Sequence, residues 1–70
     1  MPDAELGNNL KDLRARRGLT QAELAERVGV SRKTINTVEN GVFTPSATLA
    51  LKLARSLDVG VEKLFFLRAG

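Results

Sequence analysis

The stretch that decides the fold is Thr20-Gln21-Ala22-Glu23-Leu24-Ala25-Glu26-Arg27-Val28-Gly29-Val30-Ser31-Arg32-Lys33-Thr34-Ile35-Asn36-Thr37-Val38-Glu39-Asn40-Gly41. Thr20 and Glu23 have the spacing of a capping box: the hydroxyl accepts from the N–H three residues on, and the carboxylate reaches back. This opens a helix with Leu24, Ala25 and Val28 as its inner face, ending near Arg27 and Val28, before Gly29. Ser31 is an N-cap for the next helix. Val30, Thr34, Ile35 and Val38 line one side of that helix, and Asn40-Gly41 closes it. Only the turn Val28-Gly29-Val30-Ser31 separates the two, and so short a turn makes helices cross steeply. Gly29 suits a positive φ that a Cβ resists. Small Ala25, four residues earlier, lets the helices approach closely.

The outer face of the second helix carries Arg32, Lys33, Asn36 and Thr37, at i, i+1, i+4 and i+5, opposite Ile35 and Val38. Arg32 and Lys33 stand in its first turn, where the macrodipole disfavours cations. The helices that begin at Thr20 and near Val61 carry an acid there; this one carries none. Two cations at that end imply an anion from outside, and phosphate or the O6/N7 acceptors of guanine would serve. Gln21 is placed to hold a phosphate with its amide and the free N–H groups of its helix. Asn40 is placed to do the same from the far end. A plainer reading of the same residues is a solvated helix surface and an exposed Gln21 with no role. Thr20 and Ser31 are caps under either reading.

Working outward, the spacing predicts a first helix from about Glu5 to Arg17, with Leu6, Leu10 and Leu13 inward and Gly18 as its stop. Phe43-Thr44-Pro45-Ser46 is a connector, and Ser46 caps a helix from about Ala47 to Leu57. Its buried stripe is Leu49, Ala50, Leu53, Ala54 and Leu57. Asp58-Val59-Gly60 breaks the chain before a short helix, Val61 to Phe65. No segment alternates cleanly as a strand would. The expected fold is all-α: five short helices around one core, residues 1–70 as a single domain, with the short C-terminal tail as a candidate strand.

Composition sets bounds. Seventy residues support one small core, which rarely supplies more than about 3–5 kcal/mol. With no cysteine and no histidine, disulfides, thiolate metal sites and the commonest general base are excluded, which leaves oligomerisation as the remaining support. No cofactor or metal is expected. Asp3, Asp12 and Asp58 lie outside the central stretch, and no carboxylate pair has a catalytic spacing, so an enzyme is not expected. No apolar run approaches a membrane span. The N-terminus, Met1-Pro2-Asp3-Ala4-Glu5, lacks the features of a signal peptide, so the chain is expected to be complete and to lie in the cytoplasm or nucleoid. The net charge of +3, eleven Lys and Arg against eight acids, suits a polyanion only weakly; its distribution decides more.

The pattern Thr20-Gln21-x-x-Leu24-Ala25-x-x-x-Gly29-Val30-Ser31-x-x-Thr34-Ile35-x-x-x-Glu39-Asn40-Gly41 resembles the Cro/cI-type helix-turn-helix family. Pro45-Ser46 and Leu49-Ala50-Leu51-Lys52-Leu53-Ala54 look like that family's fourth helix, so the similarity covers roughly Leu10 to Phe65. It is closest to the family's shortest members. The resemblance implies the compact five-helix lambda-repressor-like domain, with helix three in the major groove of double-stranded DNA. It assigns base contacts to Arg32, Lys33, Asn36 and Thr37, with Ser31 at the entry, and phosphate contacts to Gln21 and Asn40. By position it also pairs Arg14 with Glu39. The residues themselves make that pair reasonable, because Arg14 lies on the Leu10/Leu13 side of its helix; the alternative is an exposed Arg14 with no fixed partner. Val42 stands where relatives often carry Lys, which makes Thr44 or the loop amides the substitute phosphate contacts. Gly60 replaces the usual Ser or Thr cap.

Phe65, Phe66 and Leu67 remain after Val59, Val61 and Leu64 fill the core. Three apolar residues in a row on a short helix cannot all face inward, and such clusters mark interfaces. They are expected to form a homodimer contact, with Phe66 and Leu67 packed across a two-fold axis as a short antiparallel strand pairing; the alternative is a disordered tail. A dimer would set two recognition helices about 34 Å apart, one turn of DNA. The expected function is a transcriptional repressor that binds an inverted repeat, with no small-molecule site. The alternative from another class is an antitoxin-like module that neutralises a partner protein, whose mark would be a long tail beyond the domain.

Overall fold

The computed structural model describes residues 5–68. The chain runs β1 (Glu5–Asn8), α1 (Leu10–Arg16), α2 (Gln21–Val28), α3 (Arg32–Glu39), α4 (Ala47–Ser56), α5 (Val61–Leu64) and β2 (Phe65–Arg68). Three of the helices start where a short hydroxyl side chain satisfies a first-turn N–H that has no intrahelical partner. Thr20 accepts from Glu23 N at 3.0 Å, Ser31 from Thr34 N at 3.2 Å and Ser46 from Leu49 N at 3.1 Å. The Glu23 carboxylate returns the bond, accepting from Thr20 N at 2.8 Å, so the capping box is complete.

Gly29 takes the left-handed conformation, φ 79°, and ends α2. Its N–H and that of Val30 both donate to the Ala25 carbonyl, at 2.9 and 3.0 Å, which folds the chain back within a single turn. The next helix therefore starts across the end of the last one, and α2 packs directly on α3. Leu10, Leu24, Ile35, Leu53 and Leu64, one from each helix, are fully buried, joined by Leu57 just past the end of α4. Each such side chain is worth about 1.5–3 kcal/mol of transfer free energy. Val30, Val59 and Val61 pack on this core from its edge, and Ala50 is only half-buried.

The structure corrects the N-terminal boundary. The first helix begins at Leu10, not Glu5, and Glu5–Asn8 is a strand antiparallel to Phe65–Arg68. The register pairs Glu5 with Arg68, Leu6 with Leu67, Gly7 with Phe66 and Asn8 with Phe65. Gly7 weakens a helix at that point, and the Phe66 ring lies where a Cβ on Gly7 would stand. Asn8 and Asn9 make the junction. The Asn8 Oδ1 accepts from Leu10 N at 3.0 Å, and its amide donates to the Val38 carbonyl at 3.0 Å. Asn9 N donates to the Leu64 carbonyl at 2.9 Å. The C-terminal strand exists, but its partner is the N-terminal strand of its own chain. The fold is a mostly helical five-helix domain with one two-stranded sheet. Among the described residues no helix is long and apolar enough to cross a membrane.

Candidate nucleic-acid interface

Burial of Ile35 and Val38 fixes the roll of α3 and leaves its opposite side outward. Arg32, Lys33 and Asn36 are exposed on that side and together line one shallow depression. Neither cation belongs to an ion pair among the described residues, where the pairs are Arg14–Glu39, Arg16–Asp12 and Arg17–Asp58. The first turn of α3 holds no acid, whereas α1, α2 and α5 carry Asp12, Glu23 and Glu62. The first turn of α4 also lacks an acid, but it carries no cation either. Among the described helices, α3 thus presents cations in a first turn that holds no acid, beside the positive end of its own dipole.

The remaining face residues are more engaged. Thr37 is half-buried; its hydroxyl donates to the Thr34 carbonyl at 2.9 Å. Its own carbonyl accepts from Val42 N at 2.9 Å and Phe43 N at 3.1 Å, which pins the loop after α3. The Ser31 hydroxyl is held by Thr34, 3.0 Å from that residue's Oγ1. Asn40 is exposed, and its amide reaches the Asn36 side-chain oxygen at 3.3 Å. Thr44 is exposed on the loop and shares a cleft with Asn40, Gly41 and the terminal sheet.

The recognition helix is braced at its far end. The Glu39 side chain is only 2% exposed, and Arg14 reaches it through Nε at 2.6 Å and Nη2 at 3.3 Å. Arg14 Nη1 also donates to the Leu19 carbonyl at 2.7 Å. Gln21 completes the cluster, donating from Nε2 at 3.0 Å to Glu39 Oε1, the oxygen that Arg14 Nη2 also reaches. That geometry modifies the reading of Gln21 as a free phosphate donor. One amide hydrogen is committed to a buried carboxylate, because a charge-assisted bond there is stronger than one to water. The second amide hydrogen and the backbone N–H groups of Gln21 and Ala22, which Thr20 does not take, remain for an anion.

Two features escaped the sequence reading. Asn8 ties the terminal sheet to the C-terminal end of α3, and only an Asn-Asn pair before a helix hinted at it. Leu6 belongs to an exposed apolar edge with Leu67, at 36% and 73% exposure, because the strand register sets them side by side. Of the three tail residues, Phe65 packs against the core, whereas Phe66 remains 40% exposed.

Two helices packed on each other and joined by the left-handed Gly29 turn, the second with an outward cationic start and a buried brace at its end, define a helix-turn-helix DNA-binding domain. The Helix-turn-helix family model matches residues 10–64, and the chain belongs to that family. An uncharacterized HTH-type transcriptional regulator of Bacillus subtilis, YgzD, is 43% identical over 60 residues, 86% of this chain and 91% of that one. The solved structure of SinR, the master regulator for biofilm formation, in complex with DNA superposes with a TM-score of 0.71 at 31% identity, covering 76% of this chain and 86% of that one. Antitoxin HipB of Escherichia coli O6:H1 is 35% identical over 81% of this chain and 61% of its own. The family is one of DNA-binding transcriptional regulators, not an enzyme family, and its partner is double-stranded DNA.

Proposed function

We propose that this regulator is a sequence-specific repressor that acts as a homodimer on an inverted repeat, in the cytoplasm at the nucleoid. The observation that carries the reading is the exposed trio Arg32, Lys33 and Asn36 on the outer side of α3, with neither cation in an ion pair among the described residues. Arg32 and Lys33 donate to guanine O6 and N7 in the major groove, and Asn36 and Thr37 complete the base-reading surface, with Ser31 at the entry. Gln21, Asn40 and Thr44 hold phosphates and set the register. The exposed Leu6–Leu67 pair, with Phe66, forms the two-fold contact between copies. Bound at two half-sites one turn apart, the two α3 helices read a palindrome.

Selection of bound duplexes from a random library tests the whole reading, because it returns half-site sequence, symmetry and spacing together. Each of Arg32→Ala and Lys33→Ala is expected to lose about 1–3 kcal/mol of discrimination at one base pair. Unchanged operator preference in both variants overturns the base-reading assignment. A second reading, favoured by the similarity to antitoxin HipB, is a module that neutralises a partner protein and also binds DNA. Co-purification of a stoichiometric partner whose release requires no change at α3 would favour it.

A further inference from the structure

The fold has a second cationic surface that the recognition helix does not account for. Arg27 near the end of α2, and Lys52 and Arg55 on the second half of α4, line one cleft together with Val28 and Ser56. No acid lines it, and none of the three cations forms an ion pair among the described residues. Ser56 adds an independent observation. Its hydroxyl oxygen is buried and has no hydrogen-bond partner, a rare state for a buried polar atom. The cleft is not isolated. Val28 and Lys52 also line the neighbouring depression, which runs past Ser46 and Thr48 to Thr34 on α3 itself.

We propose that this α2–α4 cleft is a second phosphate-binding surface, which holds the backbone of the duplex flanking the half-site read by α3. The proposal rests on the DNA-binding reading above. Three points favour DNA backbone over an acidic protein segment. The cleft opens at Lys52 into the depression that reaches Thr34 of the recognition helix, so a duplex docked on α3 is already at its mouth. Lys52 and Arg55 are i, i+3 neighbours, about 5–6 Å apart at Cβ, a step that successive phosphates of one strand can match. The Ser56 hydroxyl has no partner inside the fold, and a turn of its χ1 into the cleft presents it as a donor to a phosphate oxygen between the cations.

The test compares two duplexes by fluorescence anisotropy across a salt titration. One is trimmed to the selected operator; the other carries about eight further base pairs on each side, about 27 Å of duplex. Each phosphate contact adds about 0.9 to the slope of log affinity against log salt, so three contacts add about 2.7. The wild-type slope is therefore expected to be steeper by that amount on the extended duplex. Between about 50 and 200 mM salt this is an additional loss of roughly 40-fold. The Arg27→Gln, Lys52→Gln, Arg55→Gln variant is expected to show one slope on both duplexes, with unchanged affinity for the trimmed one and an unchanged Tm.

Ser56→Ala separates binding from folding. It removes a partnerless buried hydroxyl, so Tm should hold or rise, while affinity for the extended duplex falls roughly tenfold, the scale of one hydrogen bond to a charged group. Equal wild-type slopes on the two duplexes overturn the proposal, as does a triple variant that keeps the difference. A triple variant that binds poly-glutamate less than wild type does, with unaltered DNA slopes, gives the cleft to an acidic protein instead. If wild type selects no duplex at all, the DNA-binding reading has failed. Selection of an operator without flank dependence removes only the cleft.

Discussion

Removal of the Glu39 carboxylate is the sharpest perturbation the structure offers. Its oxygens accept from Arg14 Nε, Arg14 Nη2 and Gln21 Nε2, and the side chain is 2% exposed. In Glu39→Ala, the Arg14 guanidinium, 13% exposed, keeps only the Leu19 carbonyl as a partner. Breaking a buried pair from one side costs about 3–5 kcal/mol, most of it the stranded charge. A domain of this size has little more than that to lose, so the variant should be largely unfolded at 37 °C. On a scale of about 4–8 °C per kcal/mol, its midpoint falls by at least 12 °C. Arg14→Met combined with Glu39→Met recovers much of the loss, because no charge is left buried. The assay is a urea melt of wild type, Glu39→Ala, Arg14→Met, Glu39→Met and the double Met variant, with wild type and the three Met variants read as a double-mutant cycle. A cost under about 1 kcal/mol for Glu39→Ala, the scale of exposed pairs, refutes the argument.

Three further outcomes follow from the same geometry. Gly29→Ala meets no atom within 4 Å, so its cost is backbone strain at φ 79° alone, about 1–2 kcal/mol by denaturant melt; a neutral result would mean the turn relaxes out of the left-handed region. Bonds from the Thr20 backbone N–H and then the Thr20 side chain hold the Glu23 carboxyl below its ordinary value of 4.5. A depressed carboxylate stabilises fully above that ordinary value and loses the effect as pH falls through the folded one. The Tm difference between wild type and Glu23→Gln should therefore hold from neutral pH to about 5 and shrink below 4.5, and a difference constant to pH 2 contradicts it. Leu67→Asp, at a residue 73% exposed, should halve the sedimenting mass and make Tm independent of protein concentration, lowering it only by what the dimer contributed. An unchanged mass removes that edge from the dimer contact, and Phe66 is the poorer probe because its ring also packs on Gly7.

The centre of the molecule was legible because its signals are local. Thr20, Ser31 and Ser46 each bond a backbone N–H three residues away, so their caps follow from adjacent sequence. The helical spacing of Leu24, Ala25, Val28, Ile35 and Val38 tells which face is inward, and therefore that Arg32, Lys33 and Asn36 face out. The ends were less legible. Glu5–Asn8 is four residues long, too short for a period to declare itself, and Leu6 sits at a spacing that a helix from Leu10 would also use. The second half of the interface was blurred for a related reason: spacing puts Thr37 on the outer face, but it cannot show that its hydroxyl is bonded to Thr34.

The amino-acid sequence alone determined the two capped helices, the glycine turn that joins them and the cationic ridge they present, because each depends on groups within one or two turns of chain. Tertiary structure alone decided that the two ends pair as strands, that Gln21 turns to Glu39, and that Arg27 meets Lys52 and Arg55 around Ser56. Those contacts join residues 18 to more than 60 positions apart. Nothing in the chain's local chemistry selects such partners; they meet because closing the leucine core leaves their elements side by side.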